Sequence, residues 1–295
     1  MQIVDGHHHL WDPRVLAYPW LAPSAPDPPF GDKTPIAGPY LPADYLNDAN
    51  GLDLAASVHV QAECAPSSSL DETRWLARQA GAMGRPFVLV VRADPRAPDL
   101  AAKLAAHEAA GPVRGVRLRV NFDAASGRAA IDDPAVLSDA AFAAGLLRIA
   151  ARGLLFELSL FPGQMEAAAK LCGAIPELAV VVNHLGWPLD LSRAGFLQWQ
   201  AGLRSLARLP NVALKISGLW PIDRAWNRLA LAPWVETAVD LFGPERCLYG
   251  SNLPIERSMC AMARQVETLQ EILSDLSADA RADIFGGTCR RLYRF

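Results

Sequence analysis

The chain has 295 residues, of which 51% are hydrophobic, a formal net charge of −3 and five cysteines. That length suits two small domains or one large α/β barrel. The nearly balanced charge, with no dense basic block, excludes nucleic acid and an anionic membrane as main partners. No run of about 18 uncharged apolar residues is present for a membrane span. The N-terminus opens on a strand with no basic segment ahead of a long apolar run, so no signal peptide is read. Cys64, Cys172, Cys247, Cys260 and Cys289 show no CxxC spacing, which points to reduced buried thiols and a cytoplasmic protein.

Eight apolar segments read as strands in chain order: Gln2 to Gly6, Ala55 to Gln61, Pro86 to Arg92, Val113 to Val120, Leu154 to Leu160, Leu178 to Asn183, Asn211 to Ser217 and Cys247 to Ser251. They are rich in Val, Ile, Leu and Phe on both faces, as parallel strands covered on both sides should be. Helical patterns fall between them at Ser69 to Met83, Pro98 to Ala110, Pro134 to Ala151, Gln164 to Ala174, Ala194 to Leu209, Pro233 to Leu241 and Ala261 to Leu276. Several open on proline or an acidic or hydroxyl residue and close on glycine or proline. Eight such strand–helix units predict an α/β fold consisting of one (β/α)8 TIM barrel over residues 1–295, with no second domain. The proline-rich stretch from Trp11 to Pro42 follows the first strand and is expected to wall or cover the C-terminal mouth.

In such a barrel the chemistry sits where strands end. The first strand runs into His7-His8-His9, and the period of two lets His7 and His9 point together while His8 points away. The second places His59, Gln61 and Glu63 on one face, and the third ends in Arg92 and Asp94. The fourth carries Arg117 and Arg119, the fifth Glu157 and Ser159, the sixth ends in Asn183-His184, the seventh holds Lys215, and the eighth ends in Ser251-Asn252. Charges in apolar strands are costly unless paired or solvated in a polar cavity, and a Glu157–Arg117 ion pair is the structural alternative. Two guanidiniums and the Lys215 ammonium at the mouth suggest a small substrate bearing a carboxylate, gripped in bidentate fashion. Gln61, Arg117, Arg119 and Lys215 are the candidate substrate-binding residues. His59 is expected to bond within the core, and His107, in an alanine-rich helix, to be solvated.

The chain resembles the amidohydrolase superfamily, in the amidohydrolase 2 branch that includes sugar-lactone hydrolases and 2-pyrone-4,6-dicarboxylate lactonase. The resemblance rests on Val4-Asp5-Gly6-His7-His8-His9-Leu10-Trp11-Asp12-Pro13, Asn183-His184-Leu185-Gly186-Trp187-Pro188, Tyr249-Gly250-Ser251-Asn252-Leu253-Pro254 and the terminal Thr288-Cys289-Arg290-Arg291-Leu292-Tyr293. It spans the whole chain, and the four pieces in order are far more specific than HxH alone. It implies that His7, His9 and His184 are metal ligands of a metal-dependent hydrolase, or that they contact substrate in a metal-free lactonase. The superfamily's strand-eight aspartate, ligand and proton shuttle, is replaced by Asn252, whose amide has no useful basicity. Strand five also lacks the metal-bridging lysine or histidine of binuclear members, so the expectation is one divalent ion, zinc foremost, or none.

The expected function is hydrolysis of a lactone or related carboxylic ester on a small anionic compound, with His7, His9, His184 and Asn252 as the catalytic set. A histidine is the expected base, its unperturbed pKa lying near neutrality; Glu256 is a second candidate, weighed against an exposed loop charge. Two alternatives stand beside this. One is a metal-dependent non-oxidative decarboxylase of an aromatic or muconate-type acid, against which the missing aspartate counts. The other is a catalytically degenerate carboxylate-binding protein.

Overall fold

The computed structural model describes residues 1–28, 30–220 and 227–295. Eight parallel strands alternate with helices: β1 (Ile3–His8), β2 (Leu54–Val60), β3 (Phe87–Arg92), β4 (Val113–Arg119), β5 (Leu155–Ser159), β6 (Val180–Val182), β7 (Val212–Ile216) and β8 (Cys247–Tyr249). They hydrogen-bond in sequential order as one eight-stranded sheet. Beyond the last regular ladder, β8 is tied to β1 by Asn252 N donating to His7 O (2.7 Å) and His9 N donating to Leu253 O (2.7 Å). The sheet thus closes into the (β/α)8 barrel that the alternation of strands and helices predicts.

The outer layer comprises α1 (Pro42–Asp48), α2 (Ser69–Met83), α3 (Leu100–Ala110), α4 (Ala140–Ala151), α5 (Met165–Gly173), α6 (Arg193–Ala207), α7 (Arg228–Phe242) and α8 (Met262–Ile272). Serine or aspartate side chains cap several of them: Asp139 accepts from Ala141 N ahead of α4, and Ser192 from Gly195 N ahead of α6. A short helix at Thr288–Tyr293 ends the chain. Its Tyr293 packs with alternate residues of the strands, among them Val4, Val58, Val60, Val88, Leu155 and Leu248, in a cluster separate from the strand–helix core. Period-two alternation accounts for this split: one face of each strand fills the barrel and the other meets the helices.

The segment from Trp11 to Pro42, of which Pro29 lies outside the described residues, folds against the mouth as expected. Trp11 bridges to Tyr40, its indole N donates to Gly38 O (2.9 Å), and Trp20 Nε1 donates to Ala62 O (2.9 Å). Two-residue strands Phe122–Asp123 and Arg128–Ala129, which the sequence pattern does not announce, form a hairpin after β4.

Candidate active site

At the C-terminal end of the barrel lies a cavity of about 310 Å³. Its polar lining includes His9, Glu63, Arg92, Arg117, Arg119, Arg128, His184 and Asn252, and Trp11, Trp20, Phe30, Phe161 and Trp187 supply apolar wall. A space of this size suits a small ligand with a few placed polar groups.

His7 and His9 converge as their alternation requires. Their ring centroids are 5.0 Å apart, and the His184 ring lies 4.5 Å from that of His7. His8 turns the other way, bonding Ser57 Oγ (3.1 Å) and stacking on Tyr45. Two glycines make the convergence possible. A Cβ on Gly250 would lie 2.7 Å from His7 Cβ, and one on Gly218, whose φ is +67°, would lie 2.7 Å from the His184 ring. Leu185, Gly186 and Trp187 after β6 all take positive φ, as does Asn252 (+53°) after β8. Such strained backbone concentrates where a site must be held in one arrangement.

Burial holds the three imidazoles well below their ordinary pKa, helped by the Lys215 charge at His7 and by Arg117 at His9 and His184. They are therefore neutral. His9 Nδ1–H donates to Val60 O (2.7 Å), which leaves Nε2 as a lone pair. His184 Nδ1 pairs with Ser217 Oγ (2.9 Å).

The guanidiniums differ in what they already hold. Arg92 donates to Glu63 (2.7 Å), and Arg117 Nη2 donates to Gln61 O (2.6 Å) while lying 3.8 Å from Glu63. Burial pushes the Glu63 carboxyl up, yet Arg119, Arg117 and Arg92 more than offset it and keep the group ionised. Arg117 Nε is buried with no acceptor. Among the described residues the Arg119 and Arg128 side chains make no hydrogen bond or ion pair within 4 Å, although the Arg119 charge still acts on Glu63. The sequence pattern misses Arg128 because it sits on the hairpin rather than at a strand end.

Several expectations are corrected. Lys215 is not at the mouth: it is wholly buried and outside the cavity lining, with Nζ 2.6 Å from Glu157 Oε1 and 3.2 Å from His7 Nδ1. Glu157 therefore pairs with Lys215 rather than Arg117, and also accepts from Asn183 Nδ2 (2.9 Å) and Tyr293 OH (2.6 Å). Gln61 is outside the lining too. It and His59 alternate with Val58 and Val60, so they face away from the barrel interior. His59 does bond within the core, to Leu10 O (3.2 Å). His107 is buried, not solvated, between Thr73 Oγ1 (2.8 Å) and Ser69 Oγ (3.2 Å). Glu256 is no exposed loop charge: it is fully buried, and its Oε1 accepts from Asn252 Nδ2 (3.0 Å).

Three neutral imidazoles are an appropriate start for a divalent ion, but the atoms around them do not fit one. His7 Nδ1 faces a lysine donor, so a neutral His7 carries its hydrogen on Nε2, which is buried without a partner. Asn252, which lines the cavity with His9 and His184, offers an amide and not a carboxylate. Among the described residues no group of three or more His, Cys, Asp or Glu is arranged to hold a metal.

A family model for amidohydrolases matches residues 4–295. An uncharacterised protein of Sinorhizobium fredii is 32% identical over 99% of this chain and 98% of its own length. An L-fucono-1,5-lactonase of Burkholderia multivorans is 30% identical over 98% of this chain and 95% of that protein. The crystal structure of an amidohydrolase from Burkholderia multivorans with bound zinc matches all of both chains at 29% identity, with a TM-score of 0.84. Barrel, histidine placement and whole-length match agree, and the chain belongs to the amidohydrolase family.

Proposed function

We propose that this enzyme hydrolyses a lactone that carries a carboxylate, without a resident metal. The observation that carries the reading is the pairing of two kinds of group in one cavity. Guanidiniums with no hydrogen-bonded carboxylate, Arg119 and Arg128, line the same cavity as the imidazoles of His9 and His184. The similarity to a protein named L-fucono-1,5-lactonase supports ring opening as the reaction.

Arg119 and Arg128 take the substrate carboxylate through charge-assisted hydrogen bonds. The lactone carbonyl oxygen lies toward Arg117, which lines the cavity and whose Nε–H has no acceptor of its own, so its charge can stabilise developing negative charge. Water sits against His9 Nε2, the lone pair that the bond to Val60 leaves free. Asn252 Oδ1 helps to orient that water, because Nδ2 is committed to Glu256. Water oxygen attacks the carbonyl carbon and its proton passes to His9. The tetrahedral intermediate then collapses with cleavage of the ring C–O bond, and the ring oxygen takes the proton back as a hydroxyl. The new carboxylic acid ionises, so one proton is released per turnover. His184, fixed by Ser217, closes the opposite side of the reacting ester.

The test is a pH-indicator screen of carboxylated and neutral lactones with wild type and His9→Asn, the variant that lacks the proton acceptor. Opening of a carboxylated lactone by wild type, lost in a variant that keeps its circular dichroism spectrum, supports the reading. Turnover retained by the variant sinks it.

A further inference from the structure

We infer that Lys215, held by Glu157, is a positioning residue that fixes His7 as a hydrogen-bond donor through Nε2 and thereby denies a divalent metal the strand-one histidine pair. The inference stands apart from the lactonase reading, since its tests use no turnover.

Lys215 lies deep in the barrel. It is the fourth residue of β7 and faces the barrel interior, wholly removed from water. An ammonium has three N–H donors and no acceptor, and each direction is taken here. One hydrogen goes to Glu157 Oε1 (2.6 Å), one to His7 Nδ1 (3.2 Å), and the Tyr293 ring face lies 5.6 Å from Nζ. Burial disfavours the charge, and Glu157 opposes that effect. Glu157 accepts from Tyr293 and Asn183 as well, so it is built as an acceptor-only carboxylate. Its counter-ion is the ammonium.

The consequence is local and directional. A lone pair on Nδ1 receives the lysine, so the hydrogen of the neutral ring must be on Nε2. That atom is buried with no partner, while the corresponding edges of His9 and His184 reach the cavity. A buried unsatisfied donor in a native site calls for an acceptor that arrives with function. An oxygen of bound water or substrate, seated among the three rings, fulfils that need. A metal ion does not, because Nε2–H offers no lone pair. Histidine ligands ordinarily donate the other ring hydrogen to a carboxylate or carbonyl, and Lys215 reverses that polarity.

Two measurements test this. Long-range ¹⁵N–¹H correlation on histidine-labelled wild type, with His7 assigned from the spectrum of His7→Asn, should show the Nε2–H tautomer. A His7 carrying its hydrogen on Nδ1 overturns the inference. The second is zinc titration by calorimetry of wild type and of the double variant Glu157→Gln, Lys215→Gln. That variant removes both charges together and places an amide oxygen where it can accept from Nδ1–H. Wild type should lack a tight stoichiometric site, and the double variant should bind zinc roughly 10–100-fold more tightly, the range that such outer partners command. Stoichiometric zinc on wild type that His9→Asn abolishes, or a folded double variant with no gain, overturns it. The tautomer measurement uses wild type and holds even if the double variant does not fold.

Discussion

Asn252 Nδ2 lies 3.0 Å from Glu256 Oε1, and both side chains are buried. The Asn252 amide after β8 is thus held from behind by a carboxyl that water does not reach. Burial pushes Glu256 up to about 8 from an ordinary 4.5. The native state then binds more protons than the unfolded chain between those values. Stability falls as pH rises from about 4.5 to about 8 and is flat above. Glu256→Gln keeps an acceptor for Asn252 and removes the charge. Its melting temperature is expected to exceed wild type at pH 8 by several degrees and to converge with it near pH 4.5. Parallel melting curves with the same pH slope for both proteins contradict this assignment.

The two guanidiniums with no hydrogen-bonded carboxylate give a specificity prediction. Arg119→Met should lower kcat/KM for a carboxylated lactone about 10–100-fold, the loss of a charged hydrogen-bond pair, chiefly through KM. Arg128→Ala should act in the same direction and more weakly, because its hairpin is exposed. Neutral lactones should change little with either variant. Equal losses on charged and neutral substrates exclude a carboxylate role.

His9→Asn retains a donor for Val60 O but removes the Nε2 lone pair. It is expected to cut kcat by roughly 10²–10⁴, the usual worth of a positioned proton acceptor, with a small change in KM. Steady-state kinetics decide this. An unchanged kcat moves the base elsewhere.

Glycine packing behind the histidines predicts a contrast in stability. Gly250→Ala drives a methyl to 2.7 Å from His7 Cβ and should cost about 1–3 kcal/mol, as overpacking does, with loss of activity. Gly81→Ala in α2 meets nothing within 4 Å and should gain roughly 0.5–1 kcal/mol. Urea unfolding of the two variants measures both. A neutral Gly250→Ala means that the barrel relaxes around His7.

Much of this barrel is legible in the sequence because strands buried on both faces read as short apolar runs. The expected and observed limits of β3 differ only at Pro86, and α2 is placed at Ser69–Met83 in both. The weak elements are those without periodicity. β6 keeps only Val180–Val182, α1 has seven residues, and the hairpin that carries Arg128 has two-residue strands. The histidine set is readable because alternation decides which side chains share a face. Depth is not readable from alternation. Lys215 has the parity of a cavity residue but lies below it, beside Glu157. Glu256 looks like a loop charge until the turn after β8 folds back, with Glu256 N reaching Asn252 O (3.4 Å). Its four-residue spacing from Asn252 is the signal that was available.

Water addition to a lactone in this cavity is decided by mass spectrometry of the product formed in ¹⁸O-labelled water. The expected result is a gain of one water, with a single heavy oxygen in the newly formed carboxylate. A product lighter by carbon dioxide, or an acid bound tightly and recovered unchanged, contradicts it.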